Sequence, residues 1–275
     1  MHVPQVLGLP TQILPENWKD FLAEEFKTSG AFGSRRLLKA LISRNRNALS
    51  PDQIFFWIRY GQRFSENWWE PRLCEHAVLR RSNASDADFY RDAFGNSRFS
   101  TLYNRQQPWR GDLTKALSNS YSMHFEDTGT IHWTVLNRDH RPMGLASLSN
   151  FSKENGRAEI SLGFPYAAPA RAIMAASMLL LQFTFSVAKL NKLTSYVYEE
   201  NIHARNFTKN FGFTHEGFLE EHFLLPPHGF VGVNIFGLTR KQLQNNDRLR
   251  QFSIRLGVGE PINQKLDPML WINND

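Results

Sequence analysis

The sequence predicts a mixed α/β fold, a central sheet carrying helices behind a helical appendage, and three observations lead there. The run from Gly144 to Phe213 reads as strand, tight connection, amphipathic helix, strand, and a polar helix ended by F-G-F. From His76 onward, short stretches of period-two alternation precede that run. Before about residue 75 the apolar residues recur only at helical spacing.

In the appendage, P-E-N-W-K-D-F-L-A-E-E-F places Trp18, Leu22 and Phe26 on one face, with Phe21 widening the stripe. S-R-R-L-L-K-A-L-I-S-R-N-R gives a basic amphipathic helix with Leu37, Leu38, Leu41 and Ile42 inward. Ser50 followed by Pro51 announces a third helix through Phe64, since proline suits the first helical turn. Its aromatic residues, Phe55, Phe56, Trp57, Tyr60 and Phe64 with Trp68 and Trp69, read as core joining the appendage to the sheet domain.

From His76 a short strand, a capped turn at Ser85 and a helix with Ala87, Tyr90 and Phe94 inward begin that domain. Residues 95–125, with Tyr103, Trp109 and Tyr121, show no clear period. T-I-H-W-T-V-L-N then alternates as a strand, and R-D-H-R-P turns the chain into M-G-L-A-S-L-S. The strand from Arg157 sets Ala158, Ile160, Leu162 and Phe164 against Glu159, Ser161 and Gly163, and Pro165, which has no N–H to donate, ends its pairing.

The central helix carries Ala172, Ala175, Ala176, Leu179, Leu180, Phe183 and Val187, a stripe wide enough to cover a sheet. A strand running straight into such a helix leaves unpaired N–H groups and the positive dipole end beside the sheet, a place to hold an anion. L-T-S-Y-V-Y, a polar helix from Asn201 stopped at Gly212, and two strands joined through P-P-H-G complete the domain. In the tail, R-Q-F-S-I-R-L-G-V reads as one extra strand and P-M-L-W-I lies near the end.

Composition narrows the function classes. The single Cys74 excludes an internal disulfide and a cysteine-built metal site. No apolar stretch approaches the roughly 20 uninterrupted residues of a membrane span, and the N-terminal residues lack the charged-then-apolar pattern of a secretory signal, so a cytoplasmic location is expected. A formal charge of +6 suits an anionic partner. Arg35, Arg36, Arg44 and Arg46 read either as a solvated face or as a docking surface for an acidic protein or for phosphates.

Five pieces occur in a telling order: G-L-A-S-L-S from Gly144, A-E-I-S-L-G-F at 158–164, L-N-K-L at 190–193, E-E-N-I-H-A-R-N at 199–206 and F-G-F-T-H-E-G at 211–217. In this order and spacing the chain resembles the GNAT N-acyltransferases over roughly Cys74 to Gln242, within them the group acetylating ribosomal-protein N-termini and nucleotide-linked amino sugars. One departure stands out: the family's Gln/Arg-x-x-Gly-x-Gly/Ala at the start of the central helix is replaced by A-A-P-A-R-A-I.

The resemblance implies a GNAT-like, mostly antiparallel sheet with a splayed cofactor slot over residues 76–242, an appendage at 1–75 and a C-terminal extension at 243–275. It implies acetyl-CoA or another acyl-CoA as donor, with the pantetheine arm held along Leu162, Gly163, Phe164 and Tyr166 and by Asn201 and Asn206. The pyrophosphate would lie on N–H groups about Ala170, Arg171, Ala172 and Ile173. Arg171, standing where the family has glycine, either contacts a phosphate, blocks the nucleotide so that the arm arrives on an acyl carrier protein, or faces solvent.

Glu159 matches the family's carboxylate and is the expected general base, against a plain pairing with Arg157; His132 and His215 are alternatives. Thr208 stands where relatives often carry a tyrosine acid, which leaves protonation of the leaving thiolate unassigned. The expected activity is acyl transfer to an amine, such as a nucleotide-linked amino sugar, another small amine or an N-terminus. Acyl-carrier-protein dependence and a catalytically silent binding module are the alternatives. No metal and no nucleic-acid partner are expected.

Overall fold

Gly30 bends the first helix. Its φ of 64° lies in the left-handed region, and it divides α1 (Trp18–Arg44) into the two helical stretches read from the sequence. The computed structural model describes residues 18–51, 54, 66–103, 111–225 and 229–262, in two units, Met1–Glu70 and Pro71–Asp275. In the first unit Ser34 Oγ donates to Leu22 O at 2.9 Å across the bend, and Leu22, Phe26, Leu38 and Leu41 are buried. Trp69, at the end of α2 (Glu66–Trp69), packs on Phe26 with ring centroids 4.3 Å apart. The side chains of Trp18 and Phe21, most of the third helix with Phe55, Phe56, Trp57, Tyr60 and Phe64, Trp109, the P-P-H turn at 226–228 and P-M-L-W-I lie outside the described residues.

The second unit is organised by one sheet of β1 (Arg72–Leu73), β2 (Val78–Arg81), β3 (Ile131–Leu136), β4 (Pro142–Ser152), β5 (Arg157–Gly163), β6 (Lys192–Tyr198), β7 (Thr214–Leu225) and β8 (Gly229–Thr239), in the order β1-β2-β3-β4-β5-β6-β8-β7. Every neighbouring pair is antiparallel except β5–β6. Because successive side chains alternate faces, the register separates two layers. Ile131, Trp133, Ala146, Leu148 and Ala158 share one face, whereas His132, Thr134, Leu145, Ser147, Ser149, Glu159 and Ser161 share the other.

The first face is covered by α7 (Ala170–Gln182), whose Ala172, Ala175, Ala176 and Met178–Leu181 are buried. Its continuation, a π turn at Phe183–Val187, sets Phe183 edge-on to Trp133 at 4.9 Å. Arg240 holds that turn by donating to Phe185 O and, at 3.3 Å, to Leu190 O. The stretch Ala170–Val187 is long and apolar enough to cross a membrane, but it is the core helix of this unit, 61% buried.

The second face is covered by α3 (Ala87–Gly95), α4 (Ser97–Leu102), α5 (Leu113–Ser122) and α6 (Phe125–Thr128). Leu145 of β4 packs into the cluster formed by Tyr90, Ala93, Phe99 and Leu117. The turn before α3 is capped by Asn83, not Ser85: Asn83 Oδ1 accepts from Ser85 N, and Asp86 completes a capping box. The apparently aperiodic 95–125 stretch holds short helices opened by Asn96, Asp112 and His124 caps.

α8 (Ile202–Asn210) follows β6. Beyond the sheet, α9 (Arg240–Gln244) and α10 (Asp247–Arg255) close the chain. The expected strand there is helix α10, because Asn246 caps Leu249 N while Leu249 and Ser253, four apart, turn inward together.

Candidate active site

β5 and β6 pair only at Arg157–Lys192, Ala158–Leu193 and Glu159–Thr194. Beyond those pairs β5 leaves for α7, while β6 continues beside β8 to Tyr198. The facing edges at Ile160–Gly163 and Ser195–Tyr198 thus open into a slot across which the two strands no longer pair. Buried backbone groups need partners, so this edge fits a ligand arm carrying amides. The enclosed part of the slot measures about 130 Å³ and is lined by Ser161, Leu162, Ser195, Val197, Asn201 and Thr208, with Tyr103 at one end. That is well below the ~300–1,000 Å³ of a pocket that takes in a whole ligand, and it suits an extended arm threaded through.

Close to the slot, α7 begins at Ala170 after Pro169, with no side-chain cap. The N–H groups of Ala172 and Ile173 donate to Pro169 O at 2.9 and 3.1 Å. Those of Ala170 and Arg171 have no backbone partner among the described residues, so the donors available to an anion narrow to these two.

On the second sheet face lies a larger cavity of about 560 Å³. Tyr90, Phe94 and Tyr103 form its aromatic side, and Asn119, His132, Ser147, Ser149 and Asn150 line its polar side. A β-bulge shapes that polar side. The β4–β5 register shifts between Ser149 and Ser152, and Asn150 takes a φ of 50°, a left-handed conformation asparagine tolerates. Its Nδ2 thereby donates to Glu159 Oε2 at 2.5 Å. Glu159 is only 5% exposed. Ser149, opposite Glu159 in register, lines the cavity with a buried hydroxyl that has no hydrogen-bond partner among the described residues.

The cavity walls are held by buried polar groups. Tyr90 OH and Thr134 Oγ1 both bond to Ser82 Oγ, at 2.9 and 3.0 Å. Burial raises the Tyr90 phenol well above its ordinary pKa, and the Ser82 bond offsets part of that. Arg81 donates to Ser120 O and Met123 O, closing the end of α5, and burial pushes its guanidinium down to about 9, an effect the nearby Tyr121 opposes.

A splayed two-strand slot thus lies beside a polar cavity, and the buried Glu159 carboxylate is held by Asn150 of that cavity's lining. The Acetyltransferase (GNAT) domain family matches residues 76–214. The chain belongs to the GNAT acetyltransferase family. Solved GNAT structures agree in fold. A spermidine N-acetyltransferase from Vibrio cholerae, in complex with CoA and spermine, superposes with a TM-score of 0.53 at 20% identity over 62% of this chain and 99% of that one. A ribosomal-protein-S5-alanine acetyltransferase from Vibrio fischeri gives 0.53 at 14% identity over 62% and 96%. A GCN5-related N-acetyltransferase from Brucella melitensis gives 0.53 at 19% identity over 66% and 82%. No curated protein matches the sequence. The chain is thus an enzyme with GNAT-type, acyl-CoA-dependent N-acetyltransferase activity.

The slot and the cavity gather some of the residues singled out from sequence and leave others apart. Leu162 and Asn201 line the slot, and Gly163 lies at its edge with Tyr103 against it. Phe164 packs on Gly144 instead, where an added Cβ would fall 2.7 Å from its ring. Tyr166 is exposed and donates to Asp92 Oδ2 at 2.8 Å, a bond that raises its phenol pKa. Asn206 is exposed on α8 and does not line the slot; Ala170 and Arg171 are exposed at the start of α7, whereas Ala172 is buried and Ile173 half-buried. Of the alternative bases, His132 lines the large cavity, whereas His215 bonds Asn234 Oδ1 at 3.1 Å on β7 and lines neither space. The sequence reading missed Ser147, Ser149, Asn150 and Ser161. The signal for the serines is hydroxyl residues on alternate positions of β4 and β5 where a buried face would carry apolar ones, whereas Asn150 stands in the bulge.

Proposed function

We propose that the enzyme acetylates the amino group of a compact, hydroxylated acceptor, an amino sugar carried on a nucleotide, from acetyl-CoA. The carrying observation is the character of the 560 Å³ cavity: an aromatic side and a hydroxyl- and amide-rich side, with no Asp, Glu, Lys or Arg among its described lining residues. Sugars are held by hydrogen bonds to hydroxyls and by stacking on rings, whereas an extended polyamine calls for several carboxylates. The chain's positive charge suits a nucleotide's phosphates.

In this reading Glu159, aligned by Asn150, takes the proton that the amine sheds on attacking the thioester carbonyl, and the Ser149 hydroxyl hydrogen-bonds the amine. Asn201 and the open strand edges hold the pantetheine arm, and Ala170 and Arg171 hold the pyrophosphate. The exposed Arg35, Arg36, Arg44 and Arg46 of the first unit favour a second reading, in which an acidic acyl carrier protein delivers the arm. Release of free thiol from acetyl-CoA should be fastest with nucleotide-linked amino sugars in a panel that also holds spermidine, an alanine-initiated peptide and free glucosamine. Spermidine as the best acceptor would overturn the assignment.

A further inference from the structure

We propose that Tyr103 sets the length of the acyl group this enzyme accepts and holds it near acetyl. The inference rests on the donor and acceptor assignment above. Among the described residues Tyr103 alone lines both the slot and the large cavity, so its side chain is the wall between them. A thioester reaching along the slot and an amine waiting in the cavity must meet beside that wall.

The wall is fixed in place. Tyr103 stacks on Phe99, with centroids 4.7 Å apart and planes 16° apart, and meets Phe94 edge-on at 6.1 Å. Phe99 is itself buried. On its other side the ring lies against the end of β5, where a Cβ on Gly163 would sit 2.5 Å from Tyr103 Cδ2, so that position accepts only glycine without moving the ring. The backbone leading to Tyr103 is tied to both banks of the slot. Asn96 caps α4 through Phe99 N and donates to Pro165 O at 2.9 Å on the β5 side. Leu102 O accepts from Asn201 Nδ2 at 3.4 Å on the β6 side.

An acetyl methyl ends at the wall. Each further methylene must displace a ring with Phe99 and Phe94 behind it, or turn into the cavity that the acceptor needs. Removing the ring would open apolar space bounded by Phe94, Phe99 and Leu145, and burying a methylene there favours binding roughly fourfold.

The test is calorimetric titration of CoA, acetyl-CoA, butanoyl-CoA and hexanoyl-CoA into the full chain, with no acceptor present. Wild type is expected to bind acetyl-CoA at least about tenfold more tightly than hexanoyl-CoA. Tyr103→Phe should keep that preference, and Tyr103→Ala should bring the two affinities level or reverse them. Equal affinities in wild type, or an unchanged ratio in Tyr103→Ala, would overturn the role of Tyr103 while leaving the donor slot intact. Failure of wild type to bind any of the four would overturn the donor slot itself, and the inference with it. If Tyr103→Ala does not fold, Tyr103→Leu carries the same comparison with a smaller expected change in the ratio.

Discussion

Replacing Glu159 by Gln separates a catalytic carboxylate from a structural one. The substitution keeps shape and one acceptor oxygen, so the amide can still accept from Asn150 Nδ2, which now stands 2.5 Å from Oε2. What changes is charge. A hydrogen bond to an ionised group contributes about 1.5–3 kcal/mol and a neutral one about 0.5–1.5, so the loss in stability is about 1 kcal/mol. That lowers Tm by about 2–4 °C in a domain of this size and leaves the protein folded at 25 °C, given the ~5–15 kcal/mol of an ordinary domain. Loss of a general base, by contrast, lowers the rate by about 10²–10⁴. The assay is kcat/KM by thiol release with the best acceptor of the amine panel, between about pH 6 and 9, alongside calorimetric titration of acetyl-CoA. The expected result is a fall of at least about 10² in kcat with donor affinity unchanged. A variant within about threefold of wild type across that range, its Tm lowered all the same, would refute the reasoning and leave Glu159 as an anchor for Asn150.

Two further substitutions address the donor. Asn201→Ala removes the cap bond to Ala204 N at 3.1 Å, worth about 0.5–2 kcal/mol of stability, and should also weaken acetyl-CoA about fivefold or more; a lowered Tm with unchanged affinity would make Asn201 a cap alone. Arg171→Ala should weaken acetyl-CoA by about 1–3 kcal/mol if the guanidinium meets a phosphate, and the difference should shrink as salt is raised, because the side chain is exposed. Tighter binding by the variant would favour delivery of the arm by a carrier protein.

The fold was legible because order and period are carried by single residues and their neighbours. The alternation of the β5 strand, the stripe of α7 and the stop at Gly212 each reappear at the positions read. The second sheet face was far less legible. α4 and α6 are too short to show a helical period, and only their Asn96 and His124 caps mark them. In α10 the alternation of R-Q-F-S-I-R suggested a strand, and the Asn246 cap decided otherwise. The slot residues came from resemblance, yet neither Tyr103, 58 residues from Ser161, nor the aim of Asn150 follows from local pattern. Both depend on which strands lie side by side.

The site's chemistry is therefore a matter of register. Ser149 faces Glu159 and Ser147 faces Ser161 across β4 and β5. A slip of one residue would carry Glu159 and Ser161 to the face under α7 and bring Ala158 and Ile160 to the cavity. Two features oppose that slip. At one end of the pair the Phe164 ring lies so close to Gly144 that a side chain there would meet it at 2.7 Å, so in this register the ring fits only over glycine. At the other end the bulge inserts an extra residue before the pairing resumes at Ser152–Arg157, and it is this residue's left-handed backbone that turns Asn150 toward Glu159. The irregularity that fixes the pairing is thus the same one that tethers the carboxylate, which ties the proposed base to the alignment of two strands more than to any short motif around it.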